Sequence, residues 1–122
     1  DVLPFLVNRL PADTRARVGG LALLALAADA VFEFRLEQWW GPSHAPRHPV
    51  LPEVRRLMDR VPVTCAWGQG DELAACPRLA GTAVRVVALR GGHHFRKDFA
   101  RLAEEVKAVA LRAEAEAVKA AP

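Results

Sequence analysis

The residues best suited to chemistry lie in two glycine-containing turns in the second half of the chain. The first turn is Gly68-Gln69-Gly70-Asp71, and the second is Gly91-Gly92-His93-His94-Phe95. Each turn follows an apolar run and places a titratable side chain just beyond it. Functional groups of an open α/β sheet gather at the carboxyl ends of its strands. We therefore expect Asp71 to lie close to one of the two histidines.

An acid followed one strand later by a histidine is the chain order of hydrolases whose nucleophile comes earlier in the sequence. The carboxylate of Asp71 would then hold the histidine in one tautomer and stabilise its protonated form. Asp71 is equally suited to capping the short helical segment that follows it, and the two roles are compatible. We predict His93 as the base, with His94 as the alternative. The other interpretation is a surface turn whose histidines are merely polar.

The nucleophile that this order requires is not expected within the chain. The only serine, Ser43, lies in Gly-Pro-Ser-His, which is neither G-x-S-x-G nor a strand-to-helix turn. Cys65 lies in an apolar run, where packing or a disulfide is a better prediction than nucleophilic attack. The spacing of Cys65 and Cys76 matches no zinc pattern and leaves two buried thiols or a closed short loop equally open. We expect no metal site, from His44 and His48 in particular, and no cofactor.

The elements that must position these residues alternate between helices and strands, which is typical of an α/β fold. Hydrophobic spacing predicts helices over 2–10 and 52–60, a short turn over 12–15, and a long helix from Arg96 that frays after Ala113. Apolar runs predict buried strands over 20–28, 61–67 and 84–89, with a crossover over 71–81. Alternation predicts a half-exposed strand over 31–36, and three prolines predict a loop over 43–52. The inward face of the long helix is predicted to carry Phe99, Leu102, Val106, Val109 and Leu111.

Composition excludes several classes of protein. The 122 residues suffice for one domain, and the net charge of +3 comes from scattered arginines rather than a basic run interleaved with aromatic residues. We therefore expect no nucleic acid partner, and no apolar run is long enough for a transmembrane helix. Trp39 and Trp40 suit either core packing or an acyl-chain pocket. Because so few parallel strands make an incomplete sheet, we interpret residues 1–122 as a single partial domain.

Several segments together resemble the bacterial virulence protein family of the VirJ/AcvB type, in the same order and as far as about Val106. They are Asp1-Val2-Leu3-Pro4-Phe5 with Asn8-Arg9-Leu10-Pro11, the Phe34–Trp40 stretch, Cys65-Ala66-Trp67-Gly68 through Asp71-Glu72 to Cys76-Pro77, and Gly91-Gly92-His93-His94-Phe95. The resemblance implies the C-terminal half of an α/β-hydrolase fold, a parallel sheet flanked by helices, without its nucleophile-bearing half. The nucleophilic serine would precede Asp1 by a few residues.

The resemblance also implies a function. Asp71 would be the triad acid, His93 the base, and Cys65 and Cys76 a periplasmic disulfide. The parent protein would be a periplasmic serine hydrolase that cleaves aminoacyl esters of phosphatidylglycerol, which makes a membrane surface a candidate partner. A cationic aminoacyl group would favour a nearby acid, such as Glu72, Glu33 or Glu37. The alternatives are a non-catalytic partner-binding protein of the cell envelope and a general carboxylesterase. The chain alone is predicted to be inactive.

Overall fold

The computed structural model describes residues 1–32 and 46–122. The elements are α1 (Leu3–Arg9), α2 (Ala12–Arg15), β1 (Leu21–Leu24), β2 (Asp29–Val31), β3 (Arg47–Pro49), α3 (Leu51–Leu57), β4 (Val63–Gly68), β5 (Arg85–Leu89) and α4 (Phe99–Ala120), with short 3₁₀ turns at Cys76–Leu79 and Phe95–Lys97. The predicted helices over 2–10 and 52–60, the turn over 12–15 and the strands over 61–67 and 84–89 are confirmed within a few residues. The turn at Cys76–Leu79 lies in the predicted crossover.

A three-stranded parallel sheet with the order β1-β4-β5 organises the fold. β4 is the central strand, and five of its six residues are buried, which is why this segment is almost continuously apolar. Helix α4 packs on β1 and β4, while α1 packs on α3. The predicted α/β class, with a parallel sheet flanked by helices, is confirmed.

The structure corrects the strand predicted over 20–28. β1 ends at Leu24, because Ala25 has a φ of +49°, a left-handed conformation that interrupts an extended strand. The loop predicted over 43–52 is also wrong in part, since β3 pairs antiparallel with β2 and α3 already begins at Leu51. The prolines in this segment predict a loop, but Pro49 lies at the end of the two-stranded pair formed by β2 and β3, where a proline is tolerated. Of the half-exposed strand predicted over 31–36, only Val31 and Phe32 lie within the described residues.

Helix α4 differs from its prediction in two ways. It remains helical to Ala120, so the predicted fraying after Ala113 is wrong. Its buried residues are Glu105 and Val109, whereas Phe99, Val106 and Leu111 of the predicted inward face are exposed. Glu105 can face the sheet because Arg85 of β5 and Arg101 of α4 both pair with its carboxylate, at 2.5 and 2.8 Å. Such pairing removes most of the penalty for burying a charge.

None of the helices in residues 1–32 and 46–122 combines the length and the apolar character needed to cross a membrane.

Candidate active site

Asp71 lies on the turn that leaves β4, and both of its carboxylate oxygens accept hydrogen bonds. Its own N–H donates to the carbonyl oxygen of Gly68 at 2.8 Å, which sets the turn. Oδ1 accepts from the N–H of Leu73 at 3.2 Å, so the side chain stabilises the segment that follows. Oδ2 lies 2.8 Å from Nδ1 of His93. The helix that Asp71 is predicted to cap does not form, because residues 72 and 73 are a turn, so its side chain holds that turn while it contacts His93.

The Asp71–His93 pair joins a shielded acid to an accessible imidazole. The side chain of Asp71 is 7% exposed, whereas that of His93 is 60% exposed. An ionised carboxylate only accepts hydrogen bonds, so the proton of a neutral His93 lies on Nδ1. Nε2 then keeps its lone pair, and it has no hydrogen-bond partner within the described part of the chain. This is the tautomer in which a histidine can accept a proton from a neighbouring hydroxyl group.

Backbone contacts between the two turns bring Asp71 and His93 together. The N–H of Gln69 donates to the carbonyl oxygen of Leu89 at 2.9 Å, and that of Gly70 donates to Gly91 at 2.8 Å. The pairing of β4 with β5 thus continues past the strand ends. Gly68 is required for this approach, because a Cβ there would lie 2.2 Å from the carbonyl oxygen of Gly92. The neighbouring strands and their glycine turns therefore place the carboxylate of Asp71 beside the ring of His93.

His94 occupies a different position from His93. Its ring packs edge-on against the ring of His93, with centroids 5.4 Å apart, and the residue is exposed. Of the two histidines, only His93 makes a hydrogen bond with the carboxylate of Asp71. Phe95, which follows, is buried against Ala66 and Leu89 and anchors the loop in the core. The structure thus associates His93, and not His94, with the acid.

The Cys65–Cys76 disulfide closes the segment that carries Asp71. Both cysteines are fully buried, and their Cα atoms are 5.5 Å apart. Cys65 lies in the central strand, and Cys76 opens the 3₁₀ turn after Asp71. The disulfide implied by the family resemblance is present, and it limits how far the turn with Asp71 can move from β4.

The start of α1 lies near the same edge of the sheet. Oδ1 of Asp1 accepts a hydrogen bond from the N–H of Ala27 at 2.9 Å, across 26 positions of sequence. Ala27 in turn forms an antiparallel bridge with Ala74, three residues after Asp71. No local sequence pattern signals these contacts, and the sequence interpretation missed them. The chain is thereby held with Asp1 close to the segment that bears the acid.

The remaining candidates have no demonstrated part in the site. Glu72 is exposed beside Asp71. His48 packs against the ring of Phe32, with centroids 5.2 Å apart. The others lie outside the described residues, namely Glu33, Glu37, Trp39, Trp40, Ser43 and His44.

Comparison with known proteins gives one result. The family model described as bacterial virulence protein (VirJ) matches residues 1–114. No curated protein and no solved structure shows significant similarity to the chain.

Proposed function

We propose that this chain, which belongs to the bacterial virulence protein (VirJ) family, provides the acid and the base of a serine hydrolase of the α/β-hydrolase type. The observation that carries the proposal is the 2.8 Å hydrogen bond between the shielded carboxylate of Asp71 and Nδ1 of His93. It leaves Nε2 available at the carboxyl edge of the parallel sheet. The strand order, acid before histidine, agrees with such an enzyme.

In the proposed reaction, Nε2 of His93 removes the proton from a serine hydroxyl as the oxygen attacks the carbonyl carbon of an ester. Asp71 stabilises the imidazolium that forms and keeps its ring oriented. His93 then returns the proton to the departing alcohol oxygen as the ester bond breaks and an acyl-enzyme remains. Water, deprotonated by the same Nε2, attacks the acyl carbon. The bond to the serine oxygen breaks, His93 returns the proton to that oxygen, and the acid is released. The net reaction is hydrolysis of the ester to an alcohol and a carboxylic acid.

The serine is proposed to belong to residues that precede Asp1 in the natural polypeptide, as the family resemblance implies. The contacts of Asp1 support that position. Its side chain binds the backbone of Ala27, and Ala27 bridges to Ala74 just after the acid. A residue a short distance before Asp1 would therefore lie within reach of this edge of the sheet.

The proposed substrate is an aminoacyl ester of phosphatidylglycerol, and the proposed location is the periplasm. An ester between an amino acid and a lipid headgroup suits acyl-enzyme chemistry, and Glu72, exposed beside the acid, is available to a cationic aminoacyl group. The buried Cys65–Cys76 disulfide agrees with folding in an oxidising compartment. A virulence family with a disulfide is compatible with export.

The test compares His93→Gln with His94→Gln in the polypeptide that includes the proposed serine. We expect His93→Gln to lower the turnover of lysyl-phosphatidylglycerol by about 10³-fold or more, since a triad loses most of its rate without its base. It should also abolish labelling of the serine by a fluorophosphonate. His94→Gln, the matched control on the adjacent residue, should retain turnover within a few-fold.

Two results would contradict the proposal. Equal losses in the two variants would show that Asp71 does not select the base. Wild-type turnover in His93→Gln, or no turnover and no labelling in the wild type, would instead favour the non-catalytic partner-binding alternative on the same fold.

A further inference from the structure

We infer that a surface beside His93 binds anionic phospholipid bilayers directly. We call it the basic patch and define it by Arg90, Arg96, Lys97 and Phe99. The inference goes beyond the proposed hydrolysis, because binding to a bilayer requires neither the serine nor the Asp71–His93 pair. If both proposals hold, the patch brings the base to the lipid headgroups.

The backbone around the buried Phe95 holds the basic patch outward. Phe95 is 5% exposed and packs on Ala66 and Leu89. Phe95, Arg96 and Lys97 all have positive φ, 51°, 51° and 60°, which is rare for three consecutive residues other than glycine. The N–H of Lys97 donates to the carbonyl oxygen of His94 at 2.8 Å and closes the turn. Both cationic residues of this turn are therefore exposed directly after the histidines.

The charges of the basic patch are not neutralised locally. Within the described residues, Arg90, Arg96 and Lys97 have no carboxylate within 4 Å, whereas Arg101 nearby is paired with Glu105 at 2.8 Å. Asp98 is the acid inside this segment, and its Oδ1 is engaged by the N–H of Arg101 at 3.0 Å. Arg90, Arg96 and Lys97 follow the carboxyl end of β5 within eight residues of chain, and all three are exposed. They leave an excess of positive charge facing solvent.

An exposed aromatic ring follows these cations closely in the chain. Phe99 is 68% exposed in the first turn of α4, and Leu73, beside Asp71 on the neighbouring turn, is 84% exposed. An apolar side chain among uncompensated cations matches the interface of an anionic bilayer, where cations meet phosphates and rings enter the acyl boundary. A soluble polyanion, by contrast, would contact the cations and leave the ring of Phe99 in water.

A cavity lined in part by Arg90 of the basic patch offers a place for a headgroup. It has a volume of about 360 Å³ and is open to solvent, with Arg90, Phe95, Asp98 and Arg101 among its lining residues. The guanidinium group of Arg90 is well suited to phosphate oxygens, since it can donate paired hydrogen bonds, whereas that of Arg101 is paired with Glu105. The carboxylate of Asp98 in the same wall disfavours a highly charged free anion and is compatible with the single charge of a phosphodiester.

The test is sedimentation of the disulfide-bonded chain with vesicles of pure phosphatidylglycerol or pure phosphatidylcholine. We expect binding to phosphatidylglycerol vesicles alone, weakened by added salt. Arg96→Gln/Lys97→Gln should weaken it about 25-fold, since each cation near an anionic surface contributes about fivefold. Phe99→Ser should weaken it about tenfold, because part of the ring leaves the membrane interface. Arg17→Gln/Arg60→Gln is the matched control, which removes two exposed cations before β1 and β4 at the opposite edge of the sheet.

Three results would overturn the inference, provided that circular dichroism shows the variants folded. They are no binding to phosphatidylglycerol, equal weakening by the control pair, and binding that is insensitive to Phe99→Ser while a soluble polyanion such as heparin binds equally well. His93→Gln separates the two proposals, because it should leave vesicle binding unchanged. If hydrolysis fails but this binding pattern holds, the basic patch stands without the enzyme.

Discussion

Asp71 accepts one hydrogen bond from the Leu73 N–H group on Oδ1 and lies beside the His93 ring through Oδ2. The first contact stabilises a turn, and the second orients the ring of His93. Because different oxygens serve the two contacts, substitutions at this single residue can separate the effect on the turn from the effect on His93.

Asp71→Asn keeps an oxygen for the Leu73 N–H but removes the charge that stabilises a protonated His93. We expect turnover by the serine-containing polypeptide to fall about 10⁴-fold, as when a triad acid becomes an amide. The free energy of unfolding should change by less than about 1 kcal/mol. Asp71→Ala loses both contacts and should be less stable than Asp71→Asn by about 0.5–1.5 kcal/mol, the net contribution of one hydrogen bond. Steady-state kinetics and urea unfolding of both variants measure these effects. Equal stability of the two would show that the Leu73 contact contributes nothing.

Gly68 and Gly70 lie two positions apart but differ in the space around them. A Cβ at Gly68 would lie 2.2 Å from the carbonyl oxygen of Gly92 and 2.6 Å from that of Gly91, whereas at Gly70 the nearest atom is 3.4 Å away. We expect Gly68→Ala to force the histidine turn, residues 91–95, away from β4. The free energy of unfolding should fall by about 1–3 kcal/mol, as it does on overpacking. Gly70→Ala, the matched control, should cost less than about 1 kcal/mol. Thermal unfolding measures both, and equal losses would contradict the close approach of the two turns.

At the scale of elements, the site depends on the pairing of β4 with β5 and on the segment that connects them. The connection leaves β4 through the turn with Asp71 and is tied back to that strand by the Cys65–Cys76 disulfide. At its other end, β5 leads into the histidine turn, which Phe95 anchors in the core. Both turns are thus fixed close to the strands that carry them.

Loss of the disulfide should destabilise the fold and let the turn that carries Asp71 move more freely. For Cys65→Ala/Cys76→Ala we expect the free energy of unfolding to fall by about 3 kcal/mol, from the entropy of opening a loop of this size in the unfolded chain. Urea unfolding of the variant and of the oxidised wild type measures the difference. The control is the wild type after it has been unfolded and its disulfide reduced. When it is measured in reducing buffer, its free energy of unfolding should approach that of the variant. An unchanged midpoint in the variant would contradict a stabilising role for the bond.

At the scale of the whole molecule, Glu53 connects the first helix to the rest of the fold. Its carboxylate, 8% exposed, lies 2.7 Å from the side-chain nitrogen of Asn8, 3.2 Å from Arg9 and 2.9 Å from Arg56. Burial raises the pKa of Glu53, but hydrogen bonds from Arg9 and Asn8 and the charges of Arg9 and Arg56 outweigh burial, so its pKa lies below the ordinary value of 4.5. The ionised form therefore stabilises α1 against α3.

This lowered pKa makes the stability of the fold depend on pH. A carboxylate with a depressed pKa in the folded state contributes stability that is present above its ordinary value and lost as the pH falls through the folded value. We expect wild type to be more stable than Glu53→Gln at neutral pH, and the difference to shrink below about pH 4.5. Glu104→Gln is the control, since the Glu104–Lys107 pair is exposed and contributes little. A constant difference between wild type and Glu53→Gln from pH 7 to pH 3 would contradict this role.

The alternation of apolar runs and amphipathic segments by itself determined the α/β class and the positions of β4, β5 and α3. Central parallel strands bury both faces, so their residues form a continuous apolar run that can be recognised without knowing the neighbours. The same reasoning placed Asp71 and the two histidines at adjacent strand ends. The glycines that precede Asp71 and His93 in the sequence indicated that both residues lie in turns.

Other features depended on contacts between residues far apart in sequence, and only the tertiary structure decided them. Glu105 faces the sheet because Arg85 on β5 forms an ion pair with its carboxylate, whereas Phe99 and Leu111 remain exposed. Either histidine fitted the sequence, but the backbone of the second turn, closed by its bonds to the first, directs His93 to Asp71. Apolar periodicity measures the average tendency of a segment to be buried. Which side chain meets which partner is set by the register of the strands and the path of the turns, and no local pattern contains that information.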